Sequence, residues 1–209
     1  MGLDSVTRLL AFAIPAVFAI TVHEVAHGWV ASRLGDPTAA RAGRLTLNPL
    51  RHVDPIGTVL VPAVIYLTSG AFFGWAKPVP VDWRFLRNPR RDMALVAAAG
   101  PASNLLMLIG WIALMLHSAP RSPLAEMSWT GISFNATIMV LNLLPVPPLD
   151  GSRIVTALLP PRLIGPYARI EPYGLLILAG LLMSGVLGSL LGPLVRGLVR
   201  MLAVLLAGG

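Results

Sequence analysis

Cysteine is absent from the 209 residues, which excludes a disulfide framework and any thiolate metal site. Charge is almost as scarce: 12% of residues are Asp, Glu, Lys or Arg, where a soluble domain carries about a quarter. There is also no internal repeat, no low-complexity tract and no linker long enough to divide the chain. A single domain over 1–209 is therefore expected, with a core at 8–160 and a C-terminal helix plus amphipathic tail at 172–209. The charge that remains is mostly Arg between apolar runs, giving a net charge of +7. Such Arg and Lys orient membrane proteins, and the basic clusters lack interleaved aromatics, so no nucleic-acid partner is expected. The opening "MGLDSV" has Val6 where a myristoylation signal needs Ser or Thr. The apolar run after Arg8 continues straight through His23 and Glu24, so a cleaved signal peptide is not expected either.

What the chain has in abundance is apolar length. Residues 9–31, 93–116, 129–149 and 173–195 form blocks in which His23, Glu24 and His27 are the only ionisable groups other than Tyr. About twenty apolar residues cross the hydrocarbon layer as a helix. The expected fold is an all-α polytopic membrane protein with about four spanning helices. A fifth segment, 56–76, is uncharged but interrupted by Pro62, Gly70 and Gly74, and reads as a re-entrant or short helix. Alternating residues near 44–48 and 77–81 suggest short strands, which could clamp an extended peptide by adding it to an edge. The tail around Arg196 and Arg200 reads as an interfacial amphipathic stretch rather than a further span.

Topology can be weighed by basic residues. If 56–76 spans, the sixteen Lys and Arg divide nine against seven. If it dips in and returns, they divide twelve against four. Only the second arrangement follows the positive-inside tendency. It places the chain in the cell membrane with the loops 33–91 and 150–171 on the cytoplasmic side.

The stretch "AITVHEVAHGWVA" (19–31) carries the chemistry. His23 and His27 lie four residues apart, so on a helix they share a face one turn apart. That spacing lets two imidazoles grip one zinc ion, with Glu24 beside them as general base. Ionisable groups within a membrane segment are costly and mark function by default. Catalytic zinc usually takes a third protein ligand. His117 and Glu126 fall on the opposite side by the charge count, while His52 and Asp54 lie in the turn-rich loop 35–55, where position alone does not exclude them. Asp150 ends a block broken by Pro145, Pro147 and Pro148. In the re-entrant topology it lies on the same side as the later half of 9–31, so Asp150 is the expected third ligand. Asn142, eight residues earlier, is placed to contact substrate or an oxyanion. In "GPASN", Gly100 and Asn104 suit close helix packing with a buried amide bond, and a substrate contact through Asn104 is a second reading.

With "HEVAH", "GPASN" and "NLLPVPPLDG" in order on three blocks, the chain resembles the site-2 protease family, in particular its compact prokaryotic branch without PDZ or CBS domains. The resemblance implies an intramembrane metalloprotease with one Zn2+ per chain. His23, His27 and Asp150 would be the ligands, Glu24 the base, and Asn142 a substrate or oxyanion contact. It implies a transmembrane protein as substrate and, without regulatory domains, substrate gating that either differs from that of larger members or comes from a separate adaptor. A non-enzymatic zinc carrier or sensor would also need buried His and Asp. It would spread such groups along a path, whereas here they gather at one site.

Overall fold

The computed structural model describes residues 2–61, 63, 64, 67 and 76–208. The elements are α1 (Gly2–Leu34), α2 (Thr38–Arg41), α3 (Pro89–Leu116), α4 (Pro123–Asn142), α5 (Asp150–Leu158), α6 (Pro161–Ala168), α7 (Gly174–Met183) and α8 (Val186–Ala207). Short 3-10 turns occur at Pro49–His52, Trp83–Phe85 and Glu171–Tyr173, and a π-helical turn at Pro55–Leu60. Helices α1, α3 and α4 pack on one another, α5 lies against α3, and α8 covers α3 and α4.

Proline sets several helix starts. Pro89, Pro123 and Pro161 each open a helix, where a missing N–H costs nothing. Ser122 caps α4 by accepting from the Ala125 amide. In the core, Leu108 and Ile112 of α3 meet Ile132 and Ala136 of α4, with Val195, Leu198, Val199 and Leu202 of α8 packed over them. A second cluster, Ala31, Leu86 and Val96, joins the end of α1 to the start of α3. Gly131 seats α4 on the Trp111 ring, since a Cβ there would lie 2.3 Å from Cδ2. Gly131→Ala is therefore expected to cost about 1–3 kcal/mol of stability, read as a lowered thermal midpoint in detergent.

Val6–Leu34, Pro89–Leu116 and Val186–Ala207 are long and apolar enough to cross a membrane. Two of the four expected blocks are organised differently from a single continuous helix. The block 129–149 is not a helix throughout: α4 begins earlier, at Pro123, and stops at Asn142. Helix α4 also carries Glu126, Asn135 and several hydroxyls, and it is not one of the three helices among the described residues that are long and apolar enough to cross. The block 173–195 breaks at Gly185, whose φ of +75° is open to glycine. The break leaves α7 with 10 residues, about 15 Å at 1.5 Å per residue, too short to cross alone. The sequence beyond it, including Arg196 and Arg200, continues in α8 for 22 residues, so the tail is part of a helix of spanning length.

The strands expected near 44–48 and 77–81 are not present either. Both stretches are irregular, and their polar groups are spent singly rather than in a ladder. Arg44 reaches the Lys77 carbonyl through its guanidinium at 2.8 Å, and the Lys77 amide donates to the His52 carbonyl. Pro78 and Pro80 have no N–H to offer. The Val79 and Asp82 amides go to the carboxylates of Glu24 and Asp36. Residues 76–82 thus form a strap tied down by side chains. Of the re-entrant segment expected at 56–76, residues 62, 65, 66 and 68–75 lie outside the described residues.

Candidate metal centre

α1 and α3 meet along one ridge on each. His27 and His23 stand one turn apart on α1, and Val96, Gly100 and Asn104 are spaced by four on α3. His27 Nδ1 lies 2.7 Å from the Val96 carbonyl, and His23 Nδ1 lies 2.6 Å from Asn104 Oδ1. Both partners are acceptors, so each Nδ1 carries a proton and each Nε2 is the nitrogen turned towards the cluster. Gly100 sits between the two contacts: a Cβ there would lie 2.4 Å from His27 Nε2 and 2.6 Å from His23 Nε2. Only a residue without a side chain lets α3 come this close.

Asp150 arrives from the other end of the chain as the first residue of α5. The segment 143–149 that delivers it is braced on several sides. Tyr167 Oη donates to the Pro145 carbonyl at 2.8 Å, and Gly174 packs directly on the Pro147 carbonyl. Gly151 lies against the carbonyls of Leu143 and Leu144. The far end of α5 is held by Arg90 of α3, which donates to the Ala157 and Leu159 carbonyls. Arg153 pairs with Glu171.

These elements bring His23, His27 and Asp150 together, with ligand-capable atoms all within 4.8 Å of one another. The two Nε2 atoms are 3.1 Å apart. Asp150 Oδ2 lies 3.3 Å from His23 Nε2, and Oδ1 lies 3.3 Å from His27 Nε2. Oδ2 is buried and has no hydrogen-bond partner among the described residues, which leaves it free to hold a cation. Two imidazole nitrogens and a carboxylate thus converge on one point, where a bound cation would be attracted to all three. Two imidazoles and a carboxylate are also a donor set that catalytic zinc takes. The residues present therefore fit a zinc ion.

The polar support runs deeper. Asn104 is fully buried, and its Nδ2 donates to Asn135 Oδ1 at 2.9 Å and to the Ala19 carbonyl. Asn135 in turn donates to the Gly131 carbonyl. Asn104 therefore stands behind His23, where its amide fixes a ring, rather than on an open face towards substrate. Asn142 is half-buried, and its Nδ2 donates to Ile138 of its own helix. Glu24 accepts from the Val79 amide at 2.8 Å through Oε2, so the strap and the cluster share this residue. The other ligand candidates are engaged elsewhere. His52 Nε2 pairs with the Thr46 carbonyl, Asp54 caps the Pro55–Leu60 turn, and His117 is exposed beside the Ala113 carbonyl. Glu126 lies exposed in the first turn of α4.

Comparison with known proteins places the chain. Over 193 residues it is 41% identical to a Bacillus subtilis (strain 168) protein named as a zinc metalloprotease, YwhC, covering 88% of this chain and 84% of that one. The chain belongs to the site-2 protease family. Proteins named as the zinc metalloprotease Rip2 match at 33% identity in Mycolicibacterium smegmatis, covering 80% of this chain, and in Mycobacterium tuberculosis, covering 74%. The chain spans 64% and 54% of their respective lengths. No family model matches, and no solved structure matches. Site-2 proteases are membrane proteins, in keeping with the three helices of spanning length. For this member, Asn104→Ala is expected to weaken zinc binding about 10–100-fold by freeing the His23 ring, read by competition with a chromogenic chelator.

Proposed function

We propose that this site-2 protease hydrolyses a peptide bond in or beside a transmembrane segment of a membrane-protein substrate. The observation that carries the reading is the convergence of His23, His27 and Asp150 within 4.8 Å, with Glu24 in the adjacent position of the same helix. A single zinc ion held by the three would supply a Lewis acid that polarises a carbonyl and acidifies water.

The protein's own residues do the rest. Asn104 and Val96 hold the two imidazoles in one tautomer, so both Nε2 atoms face the same point. Glu24 takes the proton of the attacking water and passes it to the leaving amine. The Val79 amide restrains one oxygen of that carboxylate and leaves the other for proton transfer. The prolines at 145, 147 and 148 keep the backbone before Asp150 out of a regular helix, and such backbone at membrane depth lines protein or a wet cavity. Water would reach the site there from the cytoplasmic side of the cell membrane. A transmembrane protein is the substrate, and a separate adaptor would control access.

The test is cleavage of single-span membrane peptides in proteoliposomes, with zinc measured on the same preparations. Wild type should hold about one zinc per chain and cleave. Asp150→Ala, which removes a donor outright, should lose more than the roughly 10–100-fold in affinity typical of a supporting residue and lose cleavage with it. Cleavage that persists in Asp150→Ala after chelation would overturn the reading.

A further inference from the structure

Beside the strap lies a pocket of about 490 Å³ whose lining includes Arg44, Arg51, Lys77, Leu50, Val53 and Pro78. Among the described residues, three cations border it and no carboxylate does. The four ion pairs of the described residues involve none of the three, and the stretch 61–76 contains no acidic residue. Arg44 is the decisive member. It is 8% exposed, its Nη2 donates to the Lys77 and Pro78 carbonyls, and its buried Nε has no acceptor. A buried guanidinium edge left without a partner is costly, and two further cations beside it raise that cost by repulsion.

We propose that this pocket binds a phosphate group. Guanidinium groups match the tetrahedral oxygens of phosphate through paired N–H donors, and Lys77 adds a point charge. The surroundings favour the phosphate of an anionic phospholipid over a free ion. Leu50 of the lining is 78% exposed, and Leu47, Ile56 and Leu60, near it in sequence, are 56–59% exposed, so exposed apolar side chains suited to acyl chains accompany a cationic pocket suited to a headgroup. The pocket is separate from the metal cluster. It shares only the strap, since Arg44 holds the two carbonyls immediately before Val79.

The experiment is native mass spectrometry of the full chain with dioleoylphosphatidylglycerol and dioleoylphosphatidylcholine in the same micelles. It compares wild type, the double variant Arg51→Gln with Lys77→Gln, and Arg41→Gln as a basic control outside the pocket. The substituted groups are exposed and make no ion pair, so the fold is kept. Wild type should retain the anionic lipid over the zwitterionic one by about tenfold or more, and the double variant should lose that preference, since each charge-assisted contact is worth about tenfold. Arg41→Gln should behave as wild type. Displacement of the lipid by millimolar inorganic phosphate would show that the phosphate group alone is read. Resistance to displacement would assign the site to the lipid. Equal retention by wild type and the double variant, or equal loss in Arg41→Gln, would overturn the proposal.

Discussion

Glu24→Gln is expected to lower peptide hydrolysis roughly a thousandfold, within the range of about 10²–10⁴ that a positioned general base contributes, while zinc stays near one per chain. The amide has nearly the carboxylate's shape, and its oxygen can still accept from the Val79 amide as Glu24 Oε2 does. What it loses is the capacity to take and return a proton. None of the three converging donors belongs to residue 24, so the metal should not notice the change. The measurement pairs single-turnover cleavage with elemental analysis of one preparation. A protein that only carried or sensed zinc would keep its transport or response in this variant. Zinc lost in step with cleavage would instead make Glu24 a ligand or a structural support.

Gly100→Ala is expected to reduce both zinc content and cleavage about a hundredfold or more, the scale set by misplacing reacting groups by about an ångström. One methyl suffices because of where it would stand. At 2.4–2.6 Å from both Nε2 atoms, it lies well inside van der Waals contact and on the side of the rings the cation must occupy. Either α3 retreats, taking Asn104 and the Val96 carbonyl from the imidazoles, or the rings turn away from Asp150. Gly110 on the same helix makes a sharp control, since a Cβ there meets nothing within 4 Å. Gly110→Ala should leave zinc and cleavage unchanged. Full zinc in Gly100→Ala would mean that α3 does not stand as close to the cluster as it does here.

The parts of the site legible in the sequence are those set by local geometry. The separation of His23 from His27 is one helical turn, and the proline-broken run before Asp150 marks an interruption between helices. Asn104 was legible as a buried amide, but its partner was not: that His23 and not a backbone group lies opposite depends on the register of α1 against α3. The Val96 carbonyl and the Val79 amide carry no side-chain signature at all. Gly100 read as a packing residue, and what it packs against is invisible without the partner helix. The break at Gly185 escaped because hydropathy averages over a window and holds no record of φ. At 77–81 the alternation of Val with Pro looked like a strand, yet it follows from amides used one at a time by carboxylates.

The two imidazoles lie on the first helix, whereas the carboxylate that faces them opens the fifth, more than a hundred residues later. A ribosome must therefore deliver over two thirds of the chain before the trio can close. Translation adds about 5–20 residues each second, so every nascent copy spends several seconds in the bilayer with its histidines and glutamate in place and its third prong unmade. A hydrolase assembled in that order stays harmless to its neighbours until its own insertion is well advanced.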